Sequence, residues 1–240
     1  MKRYKKVQNI SLLVLLIFNI MINQGKIFAN ELTTLEIEAI NEETNPYTTI
    51  LHNGVYGTSP WRIENDGTLY IEGRQFDSST TYGSPWSAYR HAITKIVFEN
   101  DVVAFGDQQF LFGTLNKVTM IEGLEKLDTS NVTDMSYMFA YTYNLTELDV
   151  IEFDTSKVTD MCWMFSGSNS LTKLDVTGFD TSKVTNMNLM FAYTYNLTKL
   201  DVTRFDTSKV TDMGGMFMYT HSLTELDVTG FDTSNVTDMS

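Results

Sequence analysis

The chain is 240 residues long and acidic, with 30 Asp and Glu against 17 Lys and Arg and a formal net charge of −13. An acidic surface has nothing with which to neutralise phosphates, which excludes a nucleic-acid partner, and a bare anionic membrane repels it; cationic, neutral-sugar or protein partners remain. Cys162 is the only cysteine, so no intrachain disulfide exists and packing must supply the stability.

Lys2, Arg3, Lys5 and Lys6 precede an apolar run from Ile10 to Ile22, and the small residue Ala29 follows. That order is the layout of a secretory signal peptide over residues 1–29, and the run falls short of the roughly 20 residues a spanning helix needs. Cleavage after Ala29 removes five positive charges and takes the net charge from −13 to −18. The mature chain is then expected to be secreted or held on a bacterial cell surface, without membrane insertion. Residues 30–54 are acidic and poor in aromatics and are expected to be a poorly ordered leader. Residues 55–92 read as a small α+β N-terminal cap. Two alternating runs flank Asp66-Gly67 as a hairpin, and Ser84 followed by Pro85 marks the N-cap and first position of a short helix.

Residues 93–127 carry irregular repeats, with strand patterns ITKIVF from Ile93 and LNKVTM from Leu115. From residue 128 to 240 the chain repeats every 26 residues: Asp128, Asp154, Asp180, Asp206 and Asp232 open successive copies, the last incomplete. Recurrence at this period means stacked units that share a core. In the second copy the recurring apolar positions are Val158, Met161, Met164, Phe165, Leu171, Leu174, Val176 and Phe179. The segment LTKLDV has the leucine-rich spacing of a short strand with Leu174 and Val176 inward, so strands are expected at Leu145, Leu171, Leu197 and Leu223, with the two irregular ones making six. The stretch VTDMCWMF suits a helical turn or a tight extended turn. Because Ser240 falls nine residues into a copy, the end is expected to be a truncation, and the Leu223 strand an uncapped edge prone to self-association.

The unit FDTSKVTDMxxMF followed by LTKLDVTGF, preceded by GSPWSAYRHAITKIVFENDV, resembles the BspA-like leucine-rich-repeat surface proteins of bacteria, a repeat shared with mycoplasma surface lipoproteins. The resemblance covers roughly residues 55–240. It implies a right-handed parallel β-solenoid displayed outside the cell and, for some members, adhesion through binding to host proteins. The chain departs from that family in carrying AYTYN or similar after the Met-Phe pair, and in showing no wall-anchoring tail.

No phosphate loop, nucleophile elbow, zinc helix or metal-type cysteine pairing is present, which points away from an enzyme and names no catalytic residue, metal or cofactor. Cys162 stands where other copies have Ser136, Asn188 and Gly214 and reads as incidental, as do the Asn-x-Thr sites at Asn131, Asn144, Asn196 and Asn235. The repeated Asp residues suit either a cation ladder or turn caps. The seventh-position series Asp134, Asp160, Asn186, Asp212 and Asp238 favours caps, because an amide can replace a carboxylate in a turn but is a poorer metal ligand. A row of mixed sign, Lys95, Lys117, Glu147, Lys173, Lys199 and Glu225, suits a solvated face. The candidate binding surface is aromatic: Tyr137, Tyr141, Tyr143, Trp163, Tyr193, Tyr195, Tyr219 and His221, at positions where the copies differ. Such rings either recognise an extracellular protein or glycan, or stack on one another to shield the core. A passive spacer is the alternative function, and a glycan-acting enzyme a weaker one.

Overall fold

A computed structural model describes residues 48–79 and 83–240. The chain divides into two compact units, residues 1–48 and 49–240, and apart from Thr48 the described residues belong to the second. The expected signal peptide and most of the expected acidic leader lie outside them.

The described residues form eight strands: β1 (Ile50–Tyr56), β2 (Ser59–Glu64), β3 (Thr68–Ile71), β4 (Arg74–Phe76), β5 (Lys95–Phe98), β6 (Val102–Asp107), β7 (Met120–Glu122) and β8 (Leu127–Asp134). They form a five-stranded mixed sheet in the order β1-β2-β3-β5-β7 and a three-stranded parallel sheet in the order β4-β6-β8. β2 and β3 pair antiparallel across Asp66-Gly67, with Trp61 opposite Ile71 and Ile63 opposite Leu69. Gly67 sits at φ +86°, and the Asp66 carboxylate accepts the Thr68 N–H at 2.9 Å, which fixes the turn. The inward residues of both sheets, among them Ile63, Leu69, Ile96 and Phe98 from the first and Phe76, Val102 and Leu127 from the second, meet in one buried core. Arg62 is held on the outer face by Glu64, Glu72 and Glu99 and lies 4.1 Å over the Tyr70 ring.

This sandwich-like arrangement corrects the expected solenoid. Among the described residues there is no closed or continuous solenoid sheet and no α-helix, only the 3-10 turns Ser87–Tyr89 and Leu124–Lys126. The helix expected after Ser84 is the first of these. Ser84 Oγ accepts the Trp86 N–H at 3.2 Å instead of capping a longer helix. Of the six expected strands, β5 forms, β7 forms later than its pattern suggested, and those at Leu145, Leu171, Leu197 and Leu223 are absent. The reason lies at the aspartates. Asp175 Oδ1 accepts both the N–H (3.0 Å) and the hydroxyl (2.6 Å) of Thr177, and Phe179 N–H bonds back to Val176 at 3.0 Å, so the chain turns as soon as the extended stretch ends. Asp201 and Asp227 repeat the arrangement with Thr203 and Thr229. Leu171, Leu174 and Val176 are buried as the pattern demanded, but a burial pattern says nothing of whether a neighbouring backbone is in register to pair.

Beyond β8 the parallel sheet thins to one bridge per copy, Asp134 to Asp160, Asn186, Asp212 and Asp238 in turn. Hydroxyls reinforce it. Thr159 gives both its N–H (2.9 Å) and its Oγ1 (3.2 Å) to the Thr133 carbonyl, while Thr155 Oγ1 reaches the Asp180 carbonyl at 3.0 Å, and each bond recurs 26 residues on. Inside, Phe112, Phe139, Phe165, Phe191 and Phe217 stack with centroids 5.5 to 5.8 Å apart. The first aspartate of each copy caps its own turn: Asp128, Asp154, Asp180, Asp206 and Asp232 accept the N–H two residues on at 2.9 to 3.0 Å.

Those caps set the acid response. The carboxyls of Asp154 and Asp175 are held below their ordinary value by the hydroxyls of Ser156 and Thr177, then by the N–H groups of the same residues; for Asp180 the Ser182 N–H comes first. Asp201, Asp206 and Asp227 follow the first pattern, and Asp232 and Asp238 the second. A lowered folded pKa gives stability that is present above the unfolded value near 4 and is lost as pH falls through the folded one. Burial raises Asp107 and Asp160 instead, and their contribution runs the other way, but they are two against eight. Calorimetry should therefore show the melting temperature dropping as pH falls below about 4; a flat or rising profile counts against the caps. Asp180→Asn, which keeps an acceptor, should be nearly neutral at pH 7, whereas Asp180→Ala should cost about 1 kcal/mol in denaturant titrations.

Candidate functional site

The aromatic row is positioned by the segment from Met135 to Tyr141 and its equivalents, which is a run of turns and not a helix. Met138 N–H bonds to the Met135 carbonyl and Ala140 N–H to that of Tyr137, while the N–H groups between them point out of the copy. Tyr137 N–H reaches the Cys162 carbonyl (2.8 Å), Phe139 N–H that of Met164 (2.9 Å) and Tyr141 N–H that of Ser166 (2.8 Å). The same three bonds join Trp163, Phe165 and Gly167 to the next copy, and Leu189, Phe191 and Tyr193 to the one after. Alternation of this kind requires left-handed backbone at two positions per copy. Tyr137, Trp163, Leu189 and Gly215 occupy the first at φ 53 to 59°, and Tyr141, Gly167, Tyr193 and Tyr219 the second at φ 58 to 75°. For a non-glycine residue this costs roughly 1–2 kcal/mol, offset by the bonds it directs to the neighbouring copy.

The rings fall into two groups. Tyr137 stacks on Trp163 at 5.5 Å, Tyr141 lies 6.0 Å from both Trp163 and Tyr143, and the row continues back to Phe110, stacked on Tyr137 at 4.3 Å. In the second group Tyr193 stacks on Tyr219 at 5.2 Å and meets Tyr195 edge-on at 6.2 Å, and His221 lies against Tyr195 and Tyr219. Gly167, Asn169 and Leu189 stand between the groups, and a Cβ on Gly167 would come within 3.0 Å of the Tyr141 ring. Tyr137, Tyr141, Trp163 and Tyr193 are half-buried; Tyr143, Tyr195, Tyr219 and His221 are exposed. The row therefore has an inner rank committed to stacking and an outer rank open to solvent. Burial pushes the Tyr137 hydroxyl up to about 12, and Tyr141 is raised for the same reason, so both stay protonated donors at neutral pH.

Beside the rings runs the seventh-position row. Each member accepts the N–H two residues on, and amides separate the charges: Gln109 Nε2 donates to Asp134 (2.9 Å), Asn186 Nδ2 to Asp160 (3.1 Å) and Asn188 Nδ2 to Asp212 (3.1 Å). Burial first, then the Asp134 charge, raises Asp160, although the Cys162 N–H works against both. Burial and Asp160 push the Cys162 thiol up to about 12, so it is protonated and a poor nucleophile at neutral pH. Among the described residues no group of three acidic, His or Cys side chains is arranged to hold a metal ion.

One further copy escaped the sequence reading. Asp107, Phe110, Phe112, Thr114 and Asn116 stand 27 residues before Asp134, Tyr137, Phe139, Tyr141 and Tyr143, so a search at a period of 26 passes over them. Phe110 and Thr114 have the same left-handed φ, 56° and 64°, and their N–H groups bond to the Ser136 and Ala140 carbonyls. The glycines at 167 and 215 were the available signal: a glycine among tyrosines at one repeat position reports left-handed backbone.

A family model described as "Mycoplasma protein of unknown function, DUF285" matches residues 107–200 and 172–240, together more than half of the chain. No curated protein and no solved structure matches it.

The amide at Asn186 is expected to hold the carboxylate row together. Asn186→Asp removes the donor to Asp160 and places a negative charge between Asp160 and Asp212, which should cost about 1–3 kcal/mol at pH 7. The loss should shrink as pH falls and the carboxyls protonate; chemical denaturation at pH 7 and pH 4 measures both effects.

Proposed function

The chain belongs to this Mycoplasma family of unknown function, and on that premise we propose that it is an exported, surface-displayed repeat protein whose aromatic row binds an extracellular protein or glycan. The BspA-like resemblance of the repeat and the signal-peptide layout of residues 1–29 support display outside the cell. The observation that carries the binding reading is the contrast between ranks. The Phe stack repeats without change, whereas the outer position reads Tyr143, Asn169, Tyr195 and His221 along the copies, with all but the half-buried Asn169 exposed. A core must satisfy identical neighbours above and below, while a recognition surface need not. A binding role also fits the chemistry better than catalysis, since the carboxylates nearest the rings are occupied with turn N–H groups and the thiol is protonated.

Tyr143→Ser with Tyr195→Ser tests this. Binding of the full chain to immobilised matrix proteins or a glycan array should be lost, with the melting temperature within about 4 °C of the parent. Binding that survives this change but is destroyed by charge reversal at Lys173 and Lys199 would move the site to the mixed-sign face.

A further inference from the structure

Where the row meets the N-terminal cap, the aromatic rank is interrupted. The 27-residue copy places Thr114 and Asn116 at the positions that Tyr141 and Tyr143 fill in the next copy. Two small polar side chains in place of two rings leave a cleft of about 230 Å3, lined by those four residues and Arg90. Arg90 is exposed, follows the 3-10 turn Ser87–Tyr89 and gives one Nη1 bond to the Ser87 carbonyl at 3.2 Å; among the described residues no carboxylate lies within ion-pairing distance of it. The turn itself is anchored from below by Trp86, which is fully buried and stacks on Phe112, so the guanidinium stands on a fixed base. Asn144 Nδ2 donates to the Asn116 carbonyl at 2.7 Å and ties the two copies together beside the cleft.

We propose that this cleft binds one carboxylate-bearing sugar unit, such as a terminal sialic acid or a hexuronate, with Arg90 on the carboxylate and the tyrosine rings against the sugar. This rests on the reading of the row as a binding surface and names its ligand class. The volume lies below the roughly 300–1,000 Å3 of sites for drug-sized ligands, so it suits one small unit of a chain and not a whole metabolite. Tyrosine rings offer an apolar face and a polar edge, as a sugar does, and Thr114 and Asn116 supply hydroxyl and amide groups for ring oxygens. A planar guanidinium that has no carboxylate partner among the described residues, and gives only one Nη1 bond to the Ser87 carbonyl, keeps N–H groups for a two-pronged contact with a carboxylate. The net charge of −13 repels polyanions, but at physiological salt charges beyond about 8 Å are largely screened, so a single carboxylate feels Arg90 more than the distant acids.

Saturation-transfer NMR and titration of the full chain with the methyl glycosides of N-acetylneuraminic acid, glucuronic acid and galactose, and with an acetylated acidic tripeptide, test the proposal. One or both acidic sugars should bind, which also separates the two sources of carboxylate, while galactose and the peptide should not. Arg90→Ala should weaken that binding about tenfold or more with an unchanged melting curve, and Arg90→Lys should recover part of it. If Arg90→Ala does not fold, Thr114→Tyr, which restores the ring found at this position in the next copy, should block the cleft instead. Equal binding of galactose, binding of the peptide alone, no sugar binding at all, or indifference to both variants overturns the inference. Should the chain still bind a matrix protein or a neutral glycan through Tyr143 and Tyr195, the broader function survives; if it binds nothing on either surface, both fall.

Discussion

The fold beyond β8 depends on where alternate N–H groups of one turn point. In a helix every N–H is spent within the segment, and in a strand all leave it; here half stay and half cross to the next copy, as Tyr137, Phe139 and Tyr141 do toward Cys162, Met164 and Ser166. Left-handed backbone at two residues per copy produces that alternation. It also sets the aromatic side chains on the outside of the turn while Met138 and Phe139 fill the inside. Aromatic row and core are thus two faces of one hydrogen-bonding device.

The acids are distributed to serve the same device. Three rows of aspartates, opening the copy, at its seventh position and after the extended stretch, each accept the N–H two residues on. Repeating a negative charge at each copy works against stacking, and two compensations oppose it. On the exposed rows water screens the charges and lysines intervene, as Lys157 and Lys183 do near Asp154. On the half-buried row, where screening is weaker, the amides of Gln109, Asn186 and Asn188 sit against the carboxylates.

How much of this was legible follows from what each signal reports. Asp66-Gly67 between alternating runs specifies a hairpin because turn chemistry and side-chain period act locally. The aspartate caps were legible for the same reason, since a carboxylate bonding two residues ahead needs no tertiary context. The buried set at Leu171, Leu174 and Val176 was readable as burial, but reading it as a strand assumed an inter-copy pairing that no single-chain pattern encodes. The sheets sit mostly where the pattern was least regular, ahead of residue 128, with β8 alone reaching into the first regular copy, and the later copies carry single bridges. Thr114, Asn116 and Arg90 were invisible as a group because an extra residue in one copy and a separate cap segment bring them together only in space.

The threonine bonds have a consequence for the gene as well as the fold. Thr155 and Thr159 bond to the copies on either side through groups every copy possesses. Any whole number of 26-residue units therefore joins with these hydrogen bonds complete, so a change in length by one unit keeps every bond between neighbours. The lineage can then vary what the surface displays without first solving a folding problem.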